Sequence, residues 1–272
     1  MKSKDNIHLA LWVFLCICII VIPISAYSLD GQVEIRQTPA TRFPIVIDQP
    51  GNYRLTSNIR VSTPNVDGIQ IMASDVSLDL DGYTLNGPGK SSKGTGIYAS
   101  RIENIEIVNG KVRDFLCGIS LCGPNHQVKD LSAGHNSSIG IKADLSTIIN
   151  CTADSNGSSG IKANSCTIAN CTANSNGFHG LEADSCTIIN CSAKSNSADG
   201  VNAMNKCRLE KNTLNENGGY GLYLESDNSY AIKNLANNNN LKGNLKGDFY
   251  QKGLNYMPTR GDDANLKDRK KE

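Results

Sequence analysis

Little of this chain is aromatic, and its charge leans to neither sign. Phe, Tyr and Trp make up 6% of its 272 residues, and Lys plus Arg number 27 against 26 Asp plus Glu. No basic stripe gathers the cations. Nucleic-acid surfaces combine clustered cations with stacking rings, so no nucleic-acid partner is expected. Met is scarce, at four residues, and Leu builds no framework in the repeat described below. No stretch within that repeat is long enough for a helix. A leucine-rich solenoid is therefore set aside, as are helical-pair repeats, which need units of about 33 residues or more. The ten cysteines include no compact CxxC metal pattern.

Only one long apolar run is present, the 14 residues from Leu9 to Ile22. It is short for a span of about 20 residues. Lys2 and Lys4 precede it and small residues follow, so residues 1–28 are expected to be a signal peptide cleaved after Ala26 or Ser28. Cys16 and Cys18 lie in no lipoprotein box. The mature product is expected to be secreted or periplasmic, with no stable membrane span. Without this segment 25 basic and 25 acidic residues remain.

What the sequence does have is a repeat of twenty. Gly140, Gly160, Gly180 and Gly200 fall one period apart, each followed by an apolar residue, and Gly221-Leu222 comes one residue late. Cys151, Cys171 and Cys191 keep step, as do Ile148, Ile168 and Ile188. In one unit Ile161 and Ala163 flank Lys162, Cys166 and Ile168 flank Thr167, and Cys171 and Ala173 flank Thr172. These are three short runs of period two, each with an apolar pair facing in. Asn164-Ser165, Ala169-Asn170 and Asn174–Gly177 separate them, and Asn, Ser and Gly make turns. Three strands and three corners per turn predict an all-β, three-sided parallel β-helix with a perimeter of roughly 65 Å. It should run to about nine coils.

Like residues then stack coil upon coil. Asn156, Asn176, Asn196 and Asn217 are expected to form an amide ladder at a corner. The columns Cys166, Cys186, Cys207 and Cys151, Cys171, Cys191 are read as small buried hydrophobes rather than disulfides. Asn212 takes the place of a cysteine in the next coil, which argues against an obligatory bridge. Cys117 and Cys122, in an irregular coil, are the favoured local pair. Asn136, Asn150, Asn156, Asn170 and Asn190 begin formal glycosylation sequons.

The string Asp75–Gly87, D-V-S-L-D-L-D-G-Y-T-L-N-G, and the stretch Arg208–Leu222 resemble the right-handed parallel β-helix repeat proteins of the pectin-lyase-like superfamily, especially the NosD-like and carbohydrate-binding/sugar-hydrolase branch. The resemblance covers roughly residues 45–250 and implies a right-handed solenoid. It implies no single activity, because lyases, hydrolases, epimerases and binding modules share the fold. An N-terminal cap is expected at 29–60, the repeat domain at 61–250 and a charged, loosely ordered tail at 251–272.

No catalytic residue can be assigned from the sequence, but several candidates deserve a structural test. The outward row Gln70, Tyr98, Ser120, Lys142, Lys162, Glu182, Asn202 and Tyr223 is a candidate glycan track. Asp79 and Asp81, with Arg101 and Arg113 in the next coils, would be a lyase-like site holding Ca²⁺. A simple corner at Asp81-Gly82 and an outward strand position for Asp79 are the favoured reading. Gly177–Gly180 is faintly similar to the Gly-His-Gly element of polygalacturonases, which draws attention to His179 and Glu182. The NosD likeness raises copper, but His126, His135 and His179 share no column. Thr147, Thr167 and Thr187 form one flat outward column. The leading expectation is an exported module that contacts polysaccharide or cell-envelope glycan. A polysaccharide lyase or glycoside hydrolase, and a structural envelope protein, stay open as alternatives.

Overall fold

A computed structural model of the chain describes residues 31–90, 92–225, 235–237 and 240–251. The expected signal peptide lies outside the described residues, as does the expected tail from residue 252 on. All regular structure among the described residues is β-strand. No helix there is long and apolar enough to cross a membrane.

The chain winds into a parallel β-solenoid of about nine turns. Ten strands stack into one sheet, from Ile45–Ile47 to Gly247–Gln251, and a twelve-stranded sheet forms a second side and, in the early coils, part of the third. In the unit beginning at Gly160, Ile161–Asn164 belongs to the ten-stranded sheet and Thr167–Ala169 to the twelve-stranded one. The third side is carried by single bridges, Thr152 to Thr172 and Thr172 to Ser192. Earlier coils make it with full strands: Ile105–Arg113 turns the corner at Asn109 and pairs with both Val76–Asp79 and Thr84–Asn86. In the N-terminal region Val33–Ile35, Ile45–Ile47 and Gly51–Leu55 are already in register with the strands that follow.

The register matches the period of twenty. Ile141, Ile161, Leu181, Val201 and Leu222 are consecutive partners, as are Ile148, Ile168, Ile188 and Leu209, and all nine are fully buried. Each such side chain contributes roughly 1.5–3 kcal/mol by leaving water. Three corners recur per unit. Ser165, Asn170 and Ser175 have φ of 54°, 55° and 54°, in the left-handed region, and Ser185, Asn190 and Ser195 repeat them. Short polar side chains tolerate this backbone. Leu145 occupies one such corner at φ 50° without that chemistry and stays 54% exposed.

The amide ladder is longer than the sequence suggested. Asn136, Asn156, Asn176, Asn196, Asn217 and Asn244 form one buried file. The Asn176 Oδ1 accepts from the Asn156 main-chain N–H at 2.9 Å and from its Nδ2 at 3.1 Å. Asn196 repeats both bonds for Asn176, at 2.9 and 3.0 Å. The ladder also explains the glycine column: a Cβ on Gly160 would stand 2.6 Å from the Ala153 carbonyl oxygen and 2.7 Å from the Asn176 Nδ2.

The cysteine columns are buried and unbridged, and they do more than fill space. The Cys186 Sγ accepts the Cys166 N–H at 3.3 Å, and the Cys166 thiol donates to the Ala143 carbonyl at 3.3 Å. At the end of the other column the Asn212 Oδ1 accepts the Cys191 N–H at 2.8 Å. In that column thiol and amide make the same bond one coil apart: the Cys191 thiol donates to the Ile168 carbonyl, and the Asn212 Nδ2 donates to the Ile188 carbonyl at 3.0 Å. The expected Cys117–Cys122 pair is not formed. Both lie on the single strand Cys117–Cys122, five residues and roughly 17 Å apart, beyond the reach of a disulfide.

Candidate functional site

The outward row is continuous on the ten-stranded sheet. Register pairs run Gln70 to Tyr98, Tyr98 to Ser120, Ser120 to Lys142, Lys142 to Lys162, Lys162 to Glu182, Glu182 to Asn202 and Asn202 to Tyr223. Alternation produces this: the residues on either side of each member turn inward, so the member must turn out. Tyr223 is then paired with Tyr250, which extends the row by one coil.

Tyrosines mark both ends. At the C-terminal end the rings of Tyr223 and Tyr250 stack at 4.8 Å with 17° between planes, and Tyr220 joins Tyr250 at 5.1 Å. At the other end Tyr98, Gln70, Met72, Ser100 and Arg101 line an open hollow of about 340 Å³. The middle is charged. The Lys162 Nζ lies 2.6 Å from the Glu182 Oε1, and the Ser159 hydroxyl donates to the other oxygen at 3.3 Å. Lys142 is exposed and makes no ion pair among the described residues. Next to Lys162, a like charge in register, it is left to face solvent.

Beside Glu182 the structure brings together groups that the sequence did not link. The His179 Nδ1 is 3.3 Å from the Asp199 Oδ2 and accepts the Asp199 main-chain N–H at 3.1 Å. Its Nε2 lies 3.3 Å from the Asn202 Nδ2. Burial pushes the imidazole below its ordinary pKa, against the pull of the Asp199 and Glu182 carboxylates. Phe178 packs on the His179 ring, centroids 3.9 Å apart, and is itself 47% exposed at the rim. With its Nδ1 taken by the Asp199 N–H, which holds the ring in place, His179 presents no free base. Asp199 escaped notice because its column also holds Ser159 and His179, with no common chemistry. Tyr250 escaped because it stands 27 residues after Tyr223 instead of twenty.

The lyase-like constellation is not assembled. Asp79 ends the strand Val76–Asp79 and accepts the Asp81 N–H at 2.7 Å, closing the turn in which Asp81 sits at φ 46°. Arg101 is at the preceding corner, and Arg113 is on the third side, paired with Asn86 and bonded to Asp114 at 2.8 Å. The Asp79–Asp81 turn, Arg101 and Arg113 occupy separate parts of the coil. The histidines are likewise apart. His126 is buried, with Nδ1 accepting the Ile105 N–H at 3.2 Å, and His135 is a corner residue at φ 58°. Among the described residues no three or more His, Cys, Asp or Glu side chains gather to hold a metal.

Comparison with known proteins places the fold. A family model described as "Right handed beta helix region" matches residues 45–241. Among curated proteins none matches the chain. Among solved structures the chain is similar to the A-module of the Azotobacter vinelandii mannuronan C-5 epimerase AlgE4, at 16% identity and a TM-score of 0.54, over 72% of this chain and 65% of that one. It is also similar to the Dettilon tailspike protein gp208, at 13% identity and a TM-score of 0.51, over 76% of this chain and 54% of that one. The chain thus spans less than two thirds of either. At these identities the likeness is one of fold.

Proposed function

The chain belongs to the right-handed β-helix family, and on that premise we propose that it is an exported module whose ten-stranded face contacts a glycan. The observation that carries this reading is the unbroken outward row from Gln70 to Tyr250, polar along its length and closed by stacked tyrosines. Aromatic faces with polar side chains beside them suit sugars, which offer an apolar C–H face and a rim of hydroxyls. The neighbour that acts on mannuronan supports a polysaccharide as the partner class.

Affinity electrophoresis in gels containing alginate, polygalacturonate, glucomannan or xylan tests the reading. Retention by at least one polymer, weakened in a Lys142→Ala/Tyr223→Ala variant, is the expected result. Equal mobility in every gel, with the protein shown to be folded, would overturn it. Following unsaturated and reducing ends in the same mixtures separates binding from lyase or hydrolase chemistry.

A further inference from the structure

The twelve-stranded side carries two outward columns. One runs Gln127, Thr147, Thr167, Thr187, Arg208, and the other Lys129, Ile149, Ala169, Ile189, Glu210. A sheet with one solvated face alternates apolar inward and polar outward residues. Lys129 and Glu210 obey that rule. Ile149, Ala169 and Ile189 between them do not, although each turns outward, half-buried, beside a fully buried Ile148, Ile168 or Ile188. The adjoining corner repeats the anomaly: Leu145, at φ 50°, is 54% exposed where the neighbouring coils place Asn125, Ser165 and Ser185. The patch is uncharged for three coils, and an ion pair bounds it at either end. Lys129 is 3.1 Å from Glu106, and Arg208 is 3.0 Å from Glu210.

We propose that this face is the interface of a two-fold dimer of the chain, with the axis running along the strand at Thr167–Ala169. The order of the residues selects that partner. About Thr167 and Ala169 the two columns are symmetric in the middle and opposite in charge at the ends. Reversing the order of coils in a second copy lays Ile149 on Ile189 and Thr147 on Thr187. It also brings Lys129 to Glu210, and Arg208 to within one coil of Glu106. The small Ala169 meets its own copy at the axis, where a larger side chain would hold the sheets apart. A patch that complements itself in this way is what a two-fold interface requires. The strands of the two copies stay aligned, as in packed sheets. An axis along the solenoid would instead lay the threonines on Ile149, Ala169 and Ile189, polar upon apolar. Five coils of this side, about 24 Å by about 15 Å, offer roughly 350 Å² per copy, which sets the contact among reversible associations. The ten-stranded face stays open in such a dimer, so the proposal is independent of the glycan reading.

Sedimentation of the wild-type protein from micromolar to submillimolar concentration, followed by carbodiimide coupling and peptide mass spectrometry, tests it. The mass should rise from monomer towards dimer with concentration, and the coupled dimer should contain a Lys129–Glu210 amide. Within one chain four coil steps, about 19 Å, separate these residues, so a zero-length link between them can form only between copies. Ala169→Glu sets two carboxylates against each other at the axis and should weaken association by at least about tenfold, with the far-UV circular dichroism unchanged. Glu210→Lys should weaken it likewise, and adding Lys129→Glu should restore it. A monomer at every concentration would overturn the proposal. So would a dimer that lacks the Lys129–Glu210 link, or one that Ala169→Glu leaves as tight as wild type. The coupling experiment needs no variant, so the outcome does not depend on the substitutions folding.

Discussion

Asn176 offers the sharpest test of how the solenoid is held together. Its Oδ1 accepts the buried main-chain N–H of Asn156 at 2.9 Å and also takes the Asn156 Nδ2 at 3.1 Å. Asn176→Ala removes both bonds. The Asn156 Nδ2 keeps the Ala133 carbonyl at 3.1 Å, but the N–H is left buried without a partner. An orphaned buried donor costs about 1–3 kcal/mol, and the void left by the truncated side chain adds on the order of 1 kcal/mol. The expected loss is about 2–4 kcal/mol in urea unfolding. The proper control is Asn170→Gly. Asn170 belongs to a second file of amides, bonded to Asn150 at 3.2 Å and Asn190 at 2.8 Å, but that file is exposed and water replaces its bonds. Gly is chosen because Asn170 has φ 55°, where alanine would add strain of its own. Asn170→Gly should stay within about 0.5 kcal/mol of wild type. Equal losses for the two variants would refute the argument that burial, rather than repetition, gives the ladder its strength.

Further outcomes follow from the same packing. Gly160→Ala forces a methyl against the Ala153 carbonyl and the Asn176 amide, and should cost about 1–3 kcal/mol in the same urea assay. Native thiol labelling read by mass spectrometry should modify Cys122, the one exposed cysteine among those described, and spare the six in the columns until the chain unfolds. Burial pushes the Cys207 thiol up to about 11, which keeps it protonated and inert. Burial also lowers the pKa of His126 and His179. The unfolded chain therefore takes up protons first as pH falls, so stability should decline from about pH 7 through the ordinary histidine range near 6.5. The decline ends once the folded-state values are passed. His126→Asn, which keeps an acceptor for the Ile105 N–H, should flatten that slope in urea unfolding followed across pH.

The fold was legible because a period of twenty exposes every column at once. Ile168 predicts Ile148 and Ile188, and all three are buried where the alternation puts them. The outward row was legible for the same reason, as far as Tyr223. Legibility failed where the period broke. Tyr250 is in register with Tyr223 across 27 residues, and Asn244 closes the amide ladder across the same interval, so neither declares itself by counting. Columns of mixed chemistry were hidden too. Ser159, His179 and Asp199 stack in one file without sharing a residue type, and Asp199 is what positions the His179 ring. The cysteines misled in a smaller way: their hydrophobic character was evident, whereas the carbonyl bonds that make Cys191 interchangeable with Asn212 depend on the geometry of the turn. Cys117 and Cys122 suggested a pair only because the strand joining them was not recognised as straight.

The central claim is that one face of the solenoid meets a glycan, and lysine footprinting tests it directly. Lys142 and Lys162 lie on the ten-stranded face, whereas Lys129 lies on the twelve-stranded one and Lys194 beyond the third side. Amine acetylation of the folded protein, with and without the retained polysaccharide, should show protection of Lys142 and Lys162 and unchanged labelling of Lys129 and Lys194. Protection of Lys129 or Lys194, with Lys142 and Lys162 as reactive as in the free protein, would contradict the account.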